Sequence, residues 1–205
     1  MKIQFDHNLL QNVDAAIQHE WLETNGLGGW ASSTIIGAHT RRYHGLLVAA
    51  LRPPVGRVVL LSKLDETIEF NTEQIKLGTN LFPGAVHPEG YRYLQSFSKH
   101  LFPHFIYETG GVRLQKTIAA VNGENTTLIL YEVLEAPAVF TLSLQPFMAG
   151  RDYHGLMIAN DAIGQHLEFE NDILTASLYD NLPELYLCVP NSEFTANPQW
   201  HFNFE

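Results

Sequence analysis

The residue types best suited to chemistry in this chain come in a repeated block. Arg-x-Tyr-His-Gly-Leu occurs twice, as Arg41-Arg42-Tyr43-His44-Gly45-Leu46 and as Arg151-Asp152-Tyr153-His154-Gly155-Leu156. Each copy combines a permanent cation, a phenol, an imidazole and a flexible backbone point. Arginine donates through a rigid planar fork, while tyrosine and histidine both donate and accept, so the set suits a neutral, hydroxyl-rich ligand. Asp152 adds an acceptor that could orient Arg151 or bind a hydroxyl. The competing explanation is coincidence at two strand ends, where Tyr and Gly are ordinary. The flanks 30–40 and 140–150 share no pattern, so an internal duplication is unsupported. If the block is functional, the two copies should meet on one face; if they lie far apart, the repeat is coincidence.

Other candidates are weaker. Glu20, Glu23, Asp65 and Glu66 are available carboxylates, but spacing pairs no two of them at the separation that glycoside hydrolysis needs. They read as solvated strand-end charges. Trp21, Trp30, Tyr91 and Tyr93 have faces for sugar stacking, though core packing more often explains such residues. His100 and His104 are four apart, yet Pro103 intervenes and no Glu adjoins the first, so the paired-histidine zinc signature fails. With one cysteine in the chain, structural zinc is not expected either. Gly26-Leu27-Gly28-Gly29-Trp30-Ala31 fits a dinucleotide fingerprint in letters only. A good strand, Ser32 to Ile36, follows where a helix is required, and no acid stands near position 50. A tight turn or close backbone approach at a sheet edge is the better reading. No cofactor and no metal are expected.

The elements that must position these groups are nearly all β. Short Val-, Ile-, Thr-, Tyr- and Phe-rich runs recur between turn signals, the pattern of a sandwich or barrel. The strongest hairpin is 104–108 and 112–118 around Thr109-Gly110-Gly111, and a second turns at Asn122-Gly123. Others are expected for 66–77 around Asn71-Thr72 and for 165–179 around Asn171-Asp172. Runs 126–134, 58–61 and part of 138–144 are apolar on both faces, which predicts strands enclosed between stacked layers. Asn8 to Gln18 predicts one short amphipathic helix through Leu9, Leu10, Val13 and Ile17. No linker or low-complexity segment interrupts residues 1–205, so a single domain is expected. Trp200, Phe202 and Phe204 alternate with polar neighbours like an unfinished half-buried strand, the expectation for an excised fragment.

Bulk properties narrow the function classes. The 205 residues are 45% hydrophobic and 17% charged, enough to build a large core. Net charge is −10, from 22 acidic against 12 basic residues, and no basic run exceeds Arg41-Arg42. Neither nucleic acid nor a membrane surface is an expected partner. Cys188, amid Leu185 to Val189, reads as a buried small hydrophobe. The start lacks the apolar core of a signal peptide, so a soluble cytoplasmic protein is expected, where the sequon Asn125-Thr126-Thr127 would carry no meaning.

A resemblance sharpens this. Trp21 through Thr34 (Trp-Leu-Glu-Thr-Asn-Gly-Leu-Gly-Gly-Trp-Ala-Ser-Ser-Thr) and Thr40 through Ala50 closely resemble the N-terminal domain of bacterial and archaeal glycogen debranching enzymes of the amylo-α-1,6-glucosidase type. Arg57 through Leu64, Gly90-Tyr91-Arg92-Tyr93-Leu94 with Phe97, Gly123 through Thr126, and Arg151 through His154 extend the match in order. Trp30 and Asp65 stand where the family would carry another aromatic and a Glu. The resemblance implies an all-β, galactose-mutarotase-like β-supersandwich, followed by an (α/α)6 barrel that carries the catalytic carboxylates and is absent from this chain. No catalytic residue carries over, and the isolated chain is not expected to hydrolyse α-1,6 linkages. The implied partners are the C-terminal catalytic barrel of the same polypeptide and an α-glucan, glycogen or maltooligosaccharide. Arg41, Arg42, Tyr43, His44, Arg151, Asp152, Tyr153 and His154 are the expected substrate-binding residues. Barrel buttressing without sugar contact stays open beside that, as do a free-standing epimerase using His44, His154 and Glu66, and a purely structural interaction domain.

Overall fold

The computed structural model describes residues 3–70, 73–164 and 166–202. In chain order its elements are β1 (Ile3–Asp6), α1 (His7–Leu10), α2 (Val13–Ala16), β2 (Glu20–Thr24), β3 (Trp30–Thr34), β4 (Gly45–Arg52), β5 (Val55–Phe70) and β6 (Glu73–Lys76). There follow β7 (Thr79–Phe82), β8 (Ala85–Glu89), a 3-10 turn (Gly90–Tyr93), β9 (Leu94–Lys99), β10 (Pro103–Thr109), β11 (Val112–Ala120) and β12 (Thr127–Glu135). The last are β13 (Thr141–Asp152), β14 (His166–Glu170), β15 (Ile173–Ser177) and β16 (Leu185–Cys188). All described pairings are antiparallel.

Two large sheets face each other. One runs β1-β9-β10-β11-β12 and the other β13-β5-β4-β3-β2, with β6 beside β5. Alternation explains the packing, because every second side chain of a strand points to the same face. Phe97, Phe105, Leu114 and Ile118 from the first sheet meet Trp21, Leu46, Leu64 and Ile68 from the second in one core. Trp21 sets its ring edge-on to Phe105, centroids 6.2 Å apart, and each such fully buried side chain contributes roughly 1.5–3 kcal/mol. The second sheet is also covered on its other face, where Val48, Val59 and Ala149 pack under Trp30, Tyr153 and Met157. That double cover is why Val58 to Leu61 is apolar on both sides.

The turns follow their chemistry. Gly110 and Gly111 both take positive φ, 56° and 78°, and close β10 onto β11 in two residues. Asn171 and Asp172 do the same between β14 and β15, at φ 52° and 63°. Thr67 to Phe70 pairs with Glu73 to Lys76 as expected; the turn at Asn71-Thr72 lies outside the described residues, as do Gln165, Phe204 and Glu205.

Several expectations are corrected. The single helix is two, because Asn12 accepts from the Ala15 amide at 3.1 Å and starts a new helix rather than continuing the old one. Asn12→Ala should therefore cost about 1 kcal/mol, read as a fall in melting temperature of about 2–4 °C. The run 126–134 is not enclosed: β12 ends its sheet, and Leu128 and Leu130 stand exposed on its outer face. Cys188 is exposed, since Leu185 and Leu187 take the inward positions of β16 and Tyr186 and Cys188 the outward ones. Residues 200–202 form no strand, and Phe202 is exposed.

Candidate functional site

The two copies of the repeated block, about 110 residues apart in sequence, come together on the outer face of the second sheet. The first copy occupies the turn before β4 and the second the end of β13 and the turn after it. Arg42 donates to the His154 carbonyl at 2.9 Å, and Arg151 donates back to the Arg42 carbonyl at 2.7 Å. The Tyr43 hydroxyl lies 3.2 Å from His154 Nδ1. Arg151 also donates to the carbonyls of Gly155 at 2.9 Å and Asp152 at 3.3 Å, so one guanidinium fork fixes both turns.

An aromatic floor holds this arrangement. Trp30 Nε1 donates to the Tyr43 carbonyl at 3.0 Å, and the Trp30 ring stands edge-on to Tyr153 at 5.6 Å. Arg57 lies over both rings, 5.5 Å from Trp30 and 5.4 Å from Tyr153, and its Nε donates to Gly28 O at 2.7 Å. Cation–π contacts of this kind add roughly 0.5–1 kcal/mol each at exposed sites. Tyr153 also stacks tilted on His154 at 3.8 Å. The outcome is an exposed shelf of Arg42, Tyr43 and His154 with half-buried Tyr153 beneath it. Such a shelf offers donors, acceptors and a ring face to polyols.

The copies are alike in letters and unlike in role. Asp152 orients no arginine; its Oδ1 accepts from the His154 amide at 2.8 Å and so shapes the turn. His154 is exposed, whereas His44 is buried, its Nδ1 accepting from the Thr40 amide at 3.1 Å. That bond makes Nε2 the protonated nitrogen of the neutral ring. Nε2 faces Glu20 at 3.4 Å, long for a hydrogen bond. Burial holds His44 below the usual histidine range, against the pull of Glu20. Arg41 pairs with the same Glu20. Arg41 and His44 thus brace the turn, leaving Arg42 and Tyr43 to face outward.

The remaining carboxylates form a different group. Glu23, Asp65 and Glu66 are buried, not solvated, because each meets a lysine: Lys99, Lys63 and Lys116 respectively. Tyr131 also donates to Glu66, and Asn80 to Asp65 at 2.8 Å. Burial, reinforced by the Glu66 charge, pushes the Tyr107 and Tyr131 phenols well above their usual range, so both stay protonated. Burial likewise lowers His39 well below its usual range, with Lys63 adding to the effect. Ser33, His39, Glu66, Tyr107 and Lys116 line a cavity of about 20 Å³ between the sheets. It has room for about one water and none for a sugar ring. Glu66 therefore sits inside the sandwich, while His154 is on the surface and His44 faces Glu20, so the trio nominated for epimerisation does not form one site. His104, considered as a metal ligand, bonds Thr117 Oγ1 at 2.8 Å.

Sequence reasoning missed the residues that lock the glycine-rich loop. Asn25 Oδ1 accepts from Leu27 and Gly29 amides at 2.9 and 3.0 Å, and its Nδ2 donates to Glu124 O at 2.9 Å and Asn125 Oδ1 at 3.1 Å. Asn125 in turn bonds both the amide and the carbonyl of Ala50 at 3.0 Å. A Cβ on Gly29 would lie 2.7 Å from Val48 O, which is the close backbone approach expected there. Arg57 also went unnoticed as part of the site; its only sequence signal is a cation placed among apolar residues of a buried strand.

Fold and site together define a mostly β domain with little helix, carrying a surface cluster of Arg42, Tyr43 and His154 over Tyr153. The family described as glycogen debranching enzyme, N terminal, matches residues 19–205, and the chain belongs to it. No curated protein and no solved structure matches the chain.

Proposed function

We propose that this chain serves a cytoplasmic glycogen debranching enzyme as a non-catalytic domain, packing against the catalytic barrel and gripping α-glucan through the Arg42–Tyr43–Tyr153–His154 shelf. Its facing sheets are read as a β-supersandwich. The observation that carries the glucan contact is the convergence of the two blocks: residues 109 to 112 apart interlock through Arg42, Tyr43, Arg151 and His154, leaving exposed polar heads above a ring face. Family membership supplies the enzyme context. Arg41, His44, Arg151 and Asp152 shape the shelf from behind.

Calorimetric titration with maltooligosaccharides tests this reading. Saturable binding is expected, weakened about tenfold by His154→Ala, a loss of ~1.4 kcal/mol. His44→Ala should instead lower the melting temperature, because it opens a buried hole and strands the Thr40 amide. Lack of saturable binding to the wild-type protein would refute the glucan contact and leave a purely structural domain.

A further inference from the structure

One edge of the sandwich is unguarded. Among the described residues β12 pairs only with β11, which leaves the other side of a nine-residue strand with unpaired amides and carbonyls. Exposed edges are normally blunted by Pro, Lys, bulges or short length. β13, the edge of the facing sheet, has such devices: Pro146 and register breaks at Phe147/Met148 and Met148/Arg151. β1, β2 and β16 are short, at four, five and four residues. β12 has neither Pro nor Lys and pairs in unbroken register from Thr127 to Val133, its one register break lying at its far end, opposite Arg113/Leu114. Its outward side chains Leu128, Leu130 and Leu134 are 50%, 54% and 42% exposed. Beside it, where β12 leads into β13, the two sheets part around a groove of about 410 Å³ lined by Leu114, Tyr131, Val133, Val139, Phe140 and Leu142.

We propose that β12 receives one more strand, an apolar segment flanked by Lys or Arg, from the polypeptide of the debranching enzyme outside this domain. This rests on the reading that the domain works attached to the rest of such an enzyme. A row of free backbone groups selects an extended chain, lying ~4.8 Å from β12. Alternation then sends one set of its side chains into the groove and the other over Leu128 and Leu130. Charge selects the partner. The only charged residues of β12 are Glu132 and Glu135, and the chain carries −10, so a second copy would bring like charge to an acidic edge. A basic-flanked strand meets it with opposite charge. In family members this domain is the N-terminal part, so further polypeptide is at hand.

Hydrogen exchange on peptides covering 127–135 tests the proposal, comparing the intact protein from its native source with the 205-residue chain. Exchange at least tenfold slower in the intact protein is expected, with Leu130→Lys erasing that difference while leaving the melting temperature of the 205-residue chain unchanged. Equal exchange in the two would overturn the proposal. So would protection of the 205-residue chain that grows with its own concentration, since the edge would then take a second copy. Maltooligosaccharide binding is read separately, so loss of the glucan contact leaves this result standing.

Discussion

Lys116→Met is expected to destabilise the protein by about 3–5 kcal/mol, the usual cost of stripping one partner from a buried ion pair. At ~2–4 °C per kcal/mol for a domain of this size, the melting temperature should fall by roughly 6–20 °C. Lys116 and Glu66 come from opposite sheets, and both are at least nine-tenths buried. Without the ammonium, the Glu66 carboxylate keeps, among the described residues, one side-chain hydrogen bond, from the Tyr131 hydroxyl, and the adjoining cavity has room for about one water. Pairing the change with Glu66→Leu should recover most of the loss, because an apolar pair of similar volume has no charge to desolvate. Denaturant unfolding of the four variants in this cycle gives the coupling directly. A Lys116→Met protein within 1 kcal/mol of the wild type would mean that the pair is solvated rather than buried.

That pair also shows where the sequence was silent. Periodicity announced the strands and the turn chemistry announced the hairpins, since both are local rules that hold within ten residues. Gly110-Gly111 and Asn171-Asp172 close as their residue types require. Burial of Glu23 and Glu66 is not local. Each depends on a lysine 76 or 50 residues away, and only the sheet register decides whether that lysine points inward. The same limit hid Arg57, whose partners Trp30 and Tyr153 lie on β3 and in the turn after β13.

The repeated block was legible as a cluster but not as a division of labour. Identical residues at His44 and His154 met opposite environments because one precedes a central strand and the other follows an edge strand. A strand with neighbours on both sides pulls its flanking residue into the layer. An edge strand lets its flank remain in water. β12 misled for a related reason: an apolar run on both faces looks the same whether its cover is present or must come from elsewhere.

Arg151→Leu should have the largest effect on glucan affinity, at least tenfold, or ~1.4 kcal/mol, although the guanidinium itself points at backbone. Its fork holds the Arg42 carbonyl at 2.7 Å and the Gly155 carbonyl at 2.9 Å, so it sets the distance between Tyr43 and His154. Removal frees two turns that otherwise keep their donors aligned before ligand arrives, and that ordering must then be supplied on binding. Stability should fall by only about 1–2 kcal/mol, as for hydrogen bonds from a charged donor near solvent. Arg151→Lys should fail to rescue binding, because a point ammonium cannot span two carbonyls as the planar fork does. Calorimetry with maltooligosaccharides on the wild type and both variants separates the cases. Full affinity in Arg151→Leu, with a lowered melting temperature, would make the arginine a structural brace and remove it from the glucan site.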